Sequence, residues 1–148
     1  MFRKTSREHI FTDYEKGALE FLIDGEGSLM ITKKLQPIIE ITNTSKILLV
    51  KAQAIIEEDD TIIATRPQPP DLKRPERHKT CFCLRIMSRN YVKNILTQIS
   101  LTAKAEQQRV LLDAIKLLDE KPDGYVFQVQ AIRDKLHILN MRGKRDGL

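Results

Sequence analysis

The stretch Leu19-Glu20-Phe21-Leu22-Ile23-Asp24-Gly25-Glu26-Gly27 sets two carboxylates, Asp24 and Glu26, at the carbonyl end of an apolar helical run, just before the hydrophobic period changes. That end of a helix carries partial negative charge, so each acid there loses roughly 0.3–1 kcal/mol unless a cation balances it. A divalent ion would do so, and hard carboxylate oxygens suit Mg²⁺. Standing alone, the pair reads first as a solvent-exposed Asp-Gly turn. An EF-hand loop is excluded, because the acids and the closing Glu that it needs at fixed spacing are absent. The two cysteines, Cys81 and Cys83, are one residue apart. They close no useful disulfide loop and cannot supply four zinc ligands, so they read as two small residues on one face of a reduced strand.

The elements that must position the acids follow from pattern. Thr12-Asp13-Tyr14-Glu15 is a capping box, which predicts a helix from about Asp13 to Ile23, ended by Gly25 and Gly27. Alternation over Ser28–Lys34 and Gln36–Asn43 predicts two antiparallel strands with a short turn. Helical spacing returns from Ile47 to Ile55, and Glu57-Glu58-Asp59-Asp60 closes that helix with unfavourable charge. Thr61–Arg66 and Lys79–Met87 predict a second strand pair, with Phe82, Leu84 and Ile86 on one side and Lys79, Cys81, Cys83 and Arg85 on the other. Three helices follow, over Tyr91–Ile99, Ala105–Leu118 and Val126–Leu139, the last two parted by the turn Lys121-Pro122-Asp123-Gly124. The expected fold is therefore α+β, an αββαββα core with one four-stranded antiparallel sheet, helices on one face and extra helices at the C-terminal end. The other face is expected to be open and polar, carrying Thr32, Lys34, Gln36, Glu40, Thr42, Lys79 and Arg85.

A chain of 148 residues fits one domain with its own core. Residues 1–11 are expected to form an N-terminal arm and residues 141–148 a basic tail. No apolar run approaches the ~18 residues of a membrane span, and Met1-Phe2-Arg3-Lys4-Thr5 is unlike a signal peptide, so a soluble intracellular protein is expected. Lys and Arg number 25 against 20 Asp and Glu, a net charge of +5, which permits a polyanionic partner without requiring one. Distribution says more. Arg66, Lys73, Arg74, Arg77, His78 and Lys79 crowd a segment with four prolines, and Arg142, Lys144 and Arg145 lie near the C-terminal end. Either cluster also reads as a solvated loop.

The nonapeptide resembles the LAGLIDADG signature of homing endonucleases, in the form that ends Ile-Asp-Gly-Glu-Gly and continues with Ser28-Leu29. Pro37-Ile38-Ile39-Glu40-Ile41-Thr42-Asn43-Thr44 is similar to that family's second strand. Leu101-Thr102-Ala103-Lys104-Ala105-Glu106-Gln107 resembles its basic catalytic segment, and Leu139-Asn140-Met141-Arg142-Gly143 a common ending. These matches stand in the right order and cover most of the chain from about Thr12. The resemblance implies that Glu26 binds an essential metal, Mg²⁺ or Mn²⁺, and that Asp24 caps and steadies the motif helices. It places Asn43 where a polar residue orders active-site water and Lys104 where a lysine approaches the scissile phosphate. The second and third motif positions depart from the pattern: Glu20 and Phe21 stand where small residues let two helices pack closely. The helix contact is then wider, turned toward Gly17 and Ala18, or rebuilt, with Phe21 and Asp24 also at the interface.

The chain holds one such motif, so cutting both strands of DNA implies a homodimer on a long site with two related halves. The sheet face would lie along the major groove of double-stranded DNA, where Arg66 and Arg85 suit guanine and Gln36 adenine. Each of these side chains reads equally as solvated or phosphate-facing. The loop bearing Lys73, Arg74, Arg77 and Lys79 would follow phosphates at the ends of the site. Rival readings are an RNA-binding cofactor for splicing an intron, a DNA-binding regulator without catalysis, and a plain α+β domain with a basic surface. An intron-borne gene in a prokaryote's cytoplasm or in an organelle fits the family.

Overall fold

In the computed structural model, backbone is described for residues 9–56, 62–66 and 80–146, and side chains for residues 9–56 and 80–141. The elements in chain order are α1 (Asp13–Glu26), β1 (Gly27–Ile31), β2 (Pro37–Asn43), α2 (Lys46–Ile56), β3 (Ile62–Arg66), β4 (Cys81–Ile86), α3 (Arg89–Gln98), α4 (Ala105–Glu120) and α5 (Tyr125–Asp146). This is the expected α+β order. The strands form one antiparallel sheet in the order β1-β2-β4-β3. Lys73, Arg74, Arg77 and Lys79 lie outside the described residues, as does Glu57–Asp60, and Arg66 is described by its backbone alone.

The capping box starts α1 as expected: Thr12 Oγ1 accepts from Glu15 N at 3.2 Å, and Glu15 Oε1 accepts from Thr12 N at 2.9 Å. The hydrogen bonds to Thr12 hold the Glu15 carboxyl below its usual pKa. Leu19 and Ile23, one turn apart, bury fully against the sheet. The helix runs past Ile23 to Glu26, with Gly25 inside it in open space. Gly27 alone makes the switch to strand. Its backbone is ordinary extended chain, but a Cβ there would stand 2.8 Å from the Ile23 carbonyl oxygen and 2.9 Å from Ile23 Cα. Glycine is needed here for close approach rather than for an unusual φ.

Register puts Leu29 opposite Ile39, Gly27 and Leu84 on either side of Ile41, and Ile86 opposite Ile39. These residues form the face that receives the helices, with Leu49, Ala52 and Ile56 of α2, and Val92, Ile95 and Leu111 of α3 and α4. The opposite face is less open than alternation suggests, although Arg85 on it stays half exposed. Ile38, Glu40, Cys81 and Cys83 are all buried there, Glu40 to 5 % exposure. Arg85 crosses from β4 to lie on Glu40, with Nε at 3.1 Å and Nη2 at 2.9 Å from one carboxylate oxygen. Both cysteines are free thiols, and burial pushes the Cys83 thiol's pKa up, with the Glu40 charge adding to it.

Thr32, Lys34 and Gln36 fall in the turn between β1 and β2, not on the sheet, because β1 ends at Ile31. Thr32 O accepts from Leu35 N at 2.9 Å, Leu35 takes a left-handed φ of 61°, and Thr32 N donates to Gln36 O at 2.9 Å. A turn followed by one left-handed residue is a favoured three-residue hairpin loop, so local turn chemistry stops the strand. At the sheet's β1 edge, Arg133 Nε and Asn140 Nδ2 of α5 donate to the carbonyls of Ile31 and Leu29, each at 3.1 Å. That cover removes a strand edge on which other chains could pair.

Residues 9–11 pack on α3: Asn94 Nδ2 and Gln98 Nε2 donate to His9 O at 2.9 and 2.7 Å, Phe11 N donates to Gln98 Oε1 at 3.0 Å, and Phe11 is buried. Helix α5 continues through Arg142–Arg145, where a basic tail is expected. Among the described residues no helix is long and apolar enough to cross a membrane.

Candidate active site

The α1–β1 junction delivers Asp24 and Glu26 to one end of the sheet. The segment Ile99–Lys104, between α3 and α4, comes to the same place from the other half of the chain. Asp24 joins them: its Oδ2 accepts from Thr102 N at 2.9 Å and its Oδ1 from Lys104 N at 3.1 Å. In return Lys104 Nζ donates to the Asp24 carbonyl oxygen. Helix α1 has no basic residue in its last turn, so Lys104 supplies from outside the positive charge that its carbonyl end favours. Burial pushes the Lys104 pKa below the usual lysine value, opposed by the nearby Asp24 and Glu26 charges.

Glu26 is exposed at the end of α1, while both oxygens of Asp24 accept main-chain N–H groups. One chain therefore offers Glu26 as the available carboxylate. Among the described residues no group of three or more His, Cys, Asp or Glu gathers as a metal cluster. A hard cation such as Mg²⁺ keeps several waters and takes one or two carboxylates plus substrate phosphate oxygens. The donor set at Glu26 fits that requirement.

Asn43 ends β2 at the same end of the sheet, two residues past Ile41, the partner of Gly27. Its Oδ1 accepts from Ser45 N at 2.7 Å, and Ser45 Oγ accepts from Leu48 N at 3.3 Å, so Asn43 also shapes the entry to α2. Of the residues expected on DNA, Lys34 is exposed on the turn, Gln36 donates its amide to Met87 O at 2.6 Å, and Thr42 stands opposite Cys83 across β2 and β4. Glu40 is corrected from a DNA contact to a buried partner of Arg85, whose side chain stays 50 % exposed.

The expected interface residues Gly17, Ala18 and Phe21 lie on an outward stripe of α1. Phe21 is 84 % exposed, and Tyr14, one helical heptad earlier, is 81 % exposed. Tyr14 lies outside the motif and belongs to the capping box in sequence; its seven-residue spacing from Phe21 is the signal that puts both on one face. Two more residues come from the structure alone. Glu20 Oε1 accepts from Ser100 N at 2.9 Å. Gln108 Oε1 accepts from Leu101 N at 2.9 Å, and its amide donates to Leu96 O and Ile99 O at 2.8 Å.

Solved structures share this fold. The homing endonuclease I-CvuI in complex with the I-CreI target matches with a TM-score of 0.64 over 85 % of this chain and 82 % of that one, at 16 % identity. The fold is that of the homing endonucleases. I-CvuI with its own target gives a TM-score of 0.63 at 14 % identity, over 86 % of this chain and 85 % of that one. The archaeal intron-encoded homing endonuclease I-Vdi141I, complexed with DNA, gives 0.68 at 12 % identity, over 86 % and 84 %. No family model matches the sequence, and no curated protein matches it.

Proposed function

We propose that this chain is a LAGLIDADG-type homing endonuclease that cleaves both strands of a long, two-fold related DNA site as a homodimer. The observation that carries the reading is the meeting of Asp24, Glu26 and Lys104 at the end of α1, on a fold shared with endonucleases that bind DNA. Phosphodiester hydrolysis needs an activated water, neutralised charge on the phosphorane and a stabilised leaving oxygen. Bound Mg²⁺ or Mn²⁺ supplies Lewis acidity and a lowered water pKa. Glu26 would hold that ion, because its carboxylate is exposed and hard. Asp24 orients instead: its oxygens fix the Thr102 and Lys104 amides, which aims the lysine. Lys104 brings a partly desolvated positive charge to the phosphate, where charge grows in the transition state. Asn43 stands ready to order water at the same end of the sheet.

Lys34 on the turn and Arg85 on the sheet are the described cationic candidates for DNA, with Thr32, Gln36 and Thr42 beside them and Arg66 by its place in β3. Glu40 holds one edge of the Arg85 guanidinium, which leaves the rest for a base edge or phosphate. Lys73, Arg74, Arg77 and Lys79, outside the described residues, are assigned to phosphates of the site by their charge alone. The stripe Tyr14, Gly17, Ala18 and Phe21 is the contact between two copies. Incubating the protein with a plasmid library and Mg²⁺ tests the reading: linear product from wild type and none from Glu26→Gln, with target binding retained, is expected. Full cleavage by the variant would remove Glu26 from the role.

A further inference from the structure

We propose that Glu20 is a positioning residue that, with Asp24, fixes where Lys104 presents its charge; the catalytic part of this inference rests on the endonuclease reading above. Glu20 and Asp24 are one turn apart on α1, and both carboxylates reach the segment between α3 and α4. That segment has no helix or strand of its own to hold its amides. They are held in alternation. The Ser100 amide goes to Glu20, the Leu101 amide to Gln108, and the Thr102 and Lys104 amides to Asp24. Carboxylate acceptors make the stronger class of such bonds, so α1 contributes three charge-assisted contacts to a stretch five residues long. Asp24 grips its downstream end, while Glu20 at Ser100 and Gln108 at Ile99 and Leu101 hold its upstream end, and Glu20 is the hold that ties that end to α1.

The position of Glu20 on α1 supports this role. Tyr14 and Phe21 point outward, whereas Glu20 is half-buried against the segment. A carboxylate at a motif position expected to be small therefore serves the chain's own loop, and the outward stripe stays clear of it. Removing it hands the exposed Ser100 amide to water and unties the upstream end from α1, with Gln108 still on Ile99 and Leu101, so that the Lys104 ammonium samples more positions.

The test compares the full-length wild type with Glu20→Ala and Glu20→Gln. Glutamine keeps the acceptor oxygen, whereas alanine removes it. Amide hydrogen exchange in the DNA-free protein is expected to quicken at both Ser100 and Lys104 by roughly tenfold or more in Glu20→Ala, and to stay within about twofold of wild type in Glu20→Gln. The ε-methylene resonances of Lys104 should move in the alanine variant and return in the glutamine variant. In single-turnover cleavage with Mg²⁺, Glu20→Ala should lose roughly tenfold in rate while target affinity stays within about twofold. Faster exchange at Ser100 alone, with the Lys104 signals and the cleavage rate unchanged, would overturn the proposal. So would a Glu20→Gln variant that behaves like alanine, or rate and affinity falling together with the melting temperature. If wild type cuts no DNA, the endonuclease reading fails by itself, and the exchange and Lys104 resonances still decide whether Glu20 positions the lysine.

Discussion

At the scale of single residues, groups that act are distinct from groups that orient. Lys104 sits on the Asp24 carbonyl beside Glu26. Lys104→Met is expected to lower the single-turnover cleavage rate by roughly 10²–10³ while affinity for the target changes little, since the charge it meets develops in the transition state. Equal losses in rate and affinity would make it an ordinary phosphate contact. Arg85→Ala strips a buried carboxylate of a charged partner, so it should cost about 1–3 kcal/mol of stability in urea unfolding. It should also relax base preference at one pair of related positions; unchanged stability would place the Glu40 pair at the surface. Asp24, Glu26 and Lys104 are legible in sequence because the first two share a contiguous motif and the third stands in a recognisable segment. Glu20 is not legible as a partner of Ser100, which lies 80 residues away. Nothing local marks such a contact, and Glu20 stands out only as a departure from a small residue.

At the scale of elements, periodicity locates every described helix and strand, and local chemistry corrects their ends. The capping box gives the start of α1 to the residue, because both of its hydrogen bonds lie within four positions. Its end is misjudged: Gly25 stays helical, and Gly27 turns the chain under a steric limit set by Ile23. Gly27→Ala is therefore expected to lose about 1–3 kcal/mol of stability, read by chemical denaturation, since the clash is with backbone that cannot swing aside. A stability equal to wild type would mean that the junction relaxes without cost. The strand β1 is likewise too long in a reading by alternation alone, because Thr32 and Leu35 close a hairpin turn whose hydrogen bonds alternation does not register. The polar-looking sheet face is the larger error. Glu40 looks like a solvent-facing residue of an alternating strand, and only the cross-strand neighbour Arg85 reveals that its charge is satisfied in burial.

At the scale of the whole molecule, one motif per chain and an exposed stripe on α1 join into a single claim about assembly. Gly25 stands in open space in one chain, so Gly25→Ala should stabilise an isolated helix by roughly 0.5–1 kcal/mol. If two α1 helices meet, the same methyl lies near their contact, and sedimentation should show a weaker dimer from a more stable chain. A dimer of unchanged strength would move the contact away from Gly25. In the proposed homodimer each chain carries one cutting centre, so the two strands of the target would be cut separately. The most direct measurement uses mixed dimers of wild type and Glu26→Gln, exchanged before addition of a supercoiled plasmid bearing the site, with Mg²⁺ present. Nicked circles are the expected product of the mixed dimer, with linear DNA arising from wild-type dimers alone. Linear DNA formed at the wild-type rate by dimers holding a single intact Glu26, or by Glu26→Gln alone, would contradict that expectation.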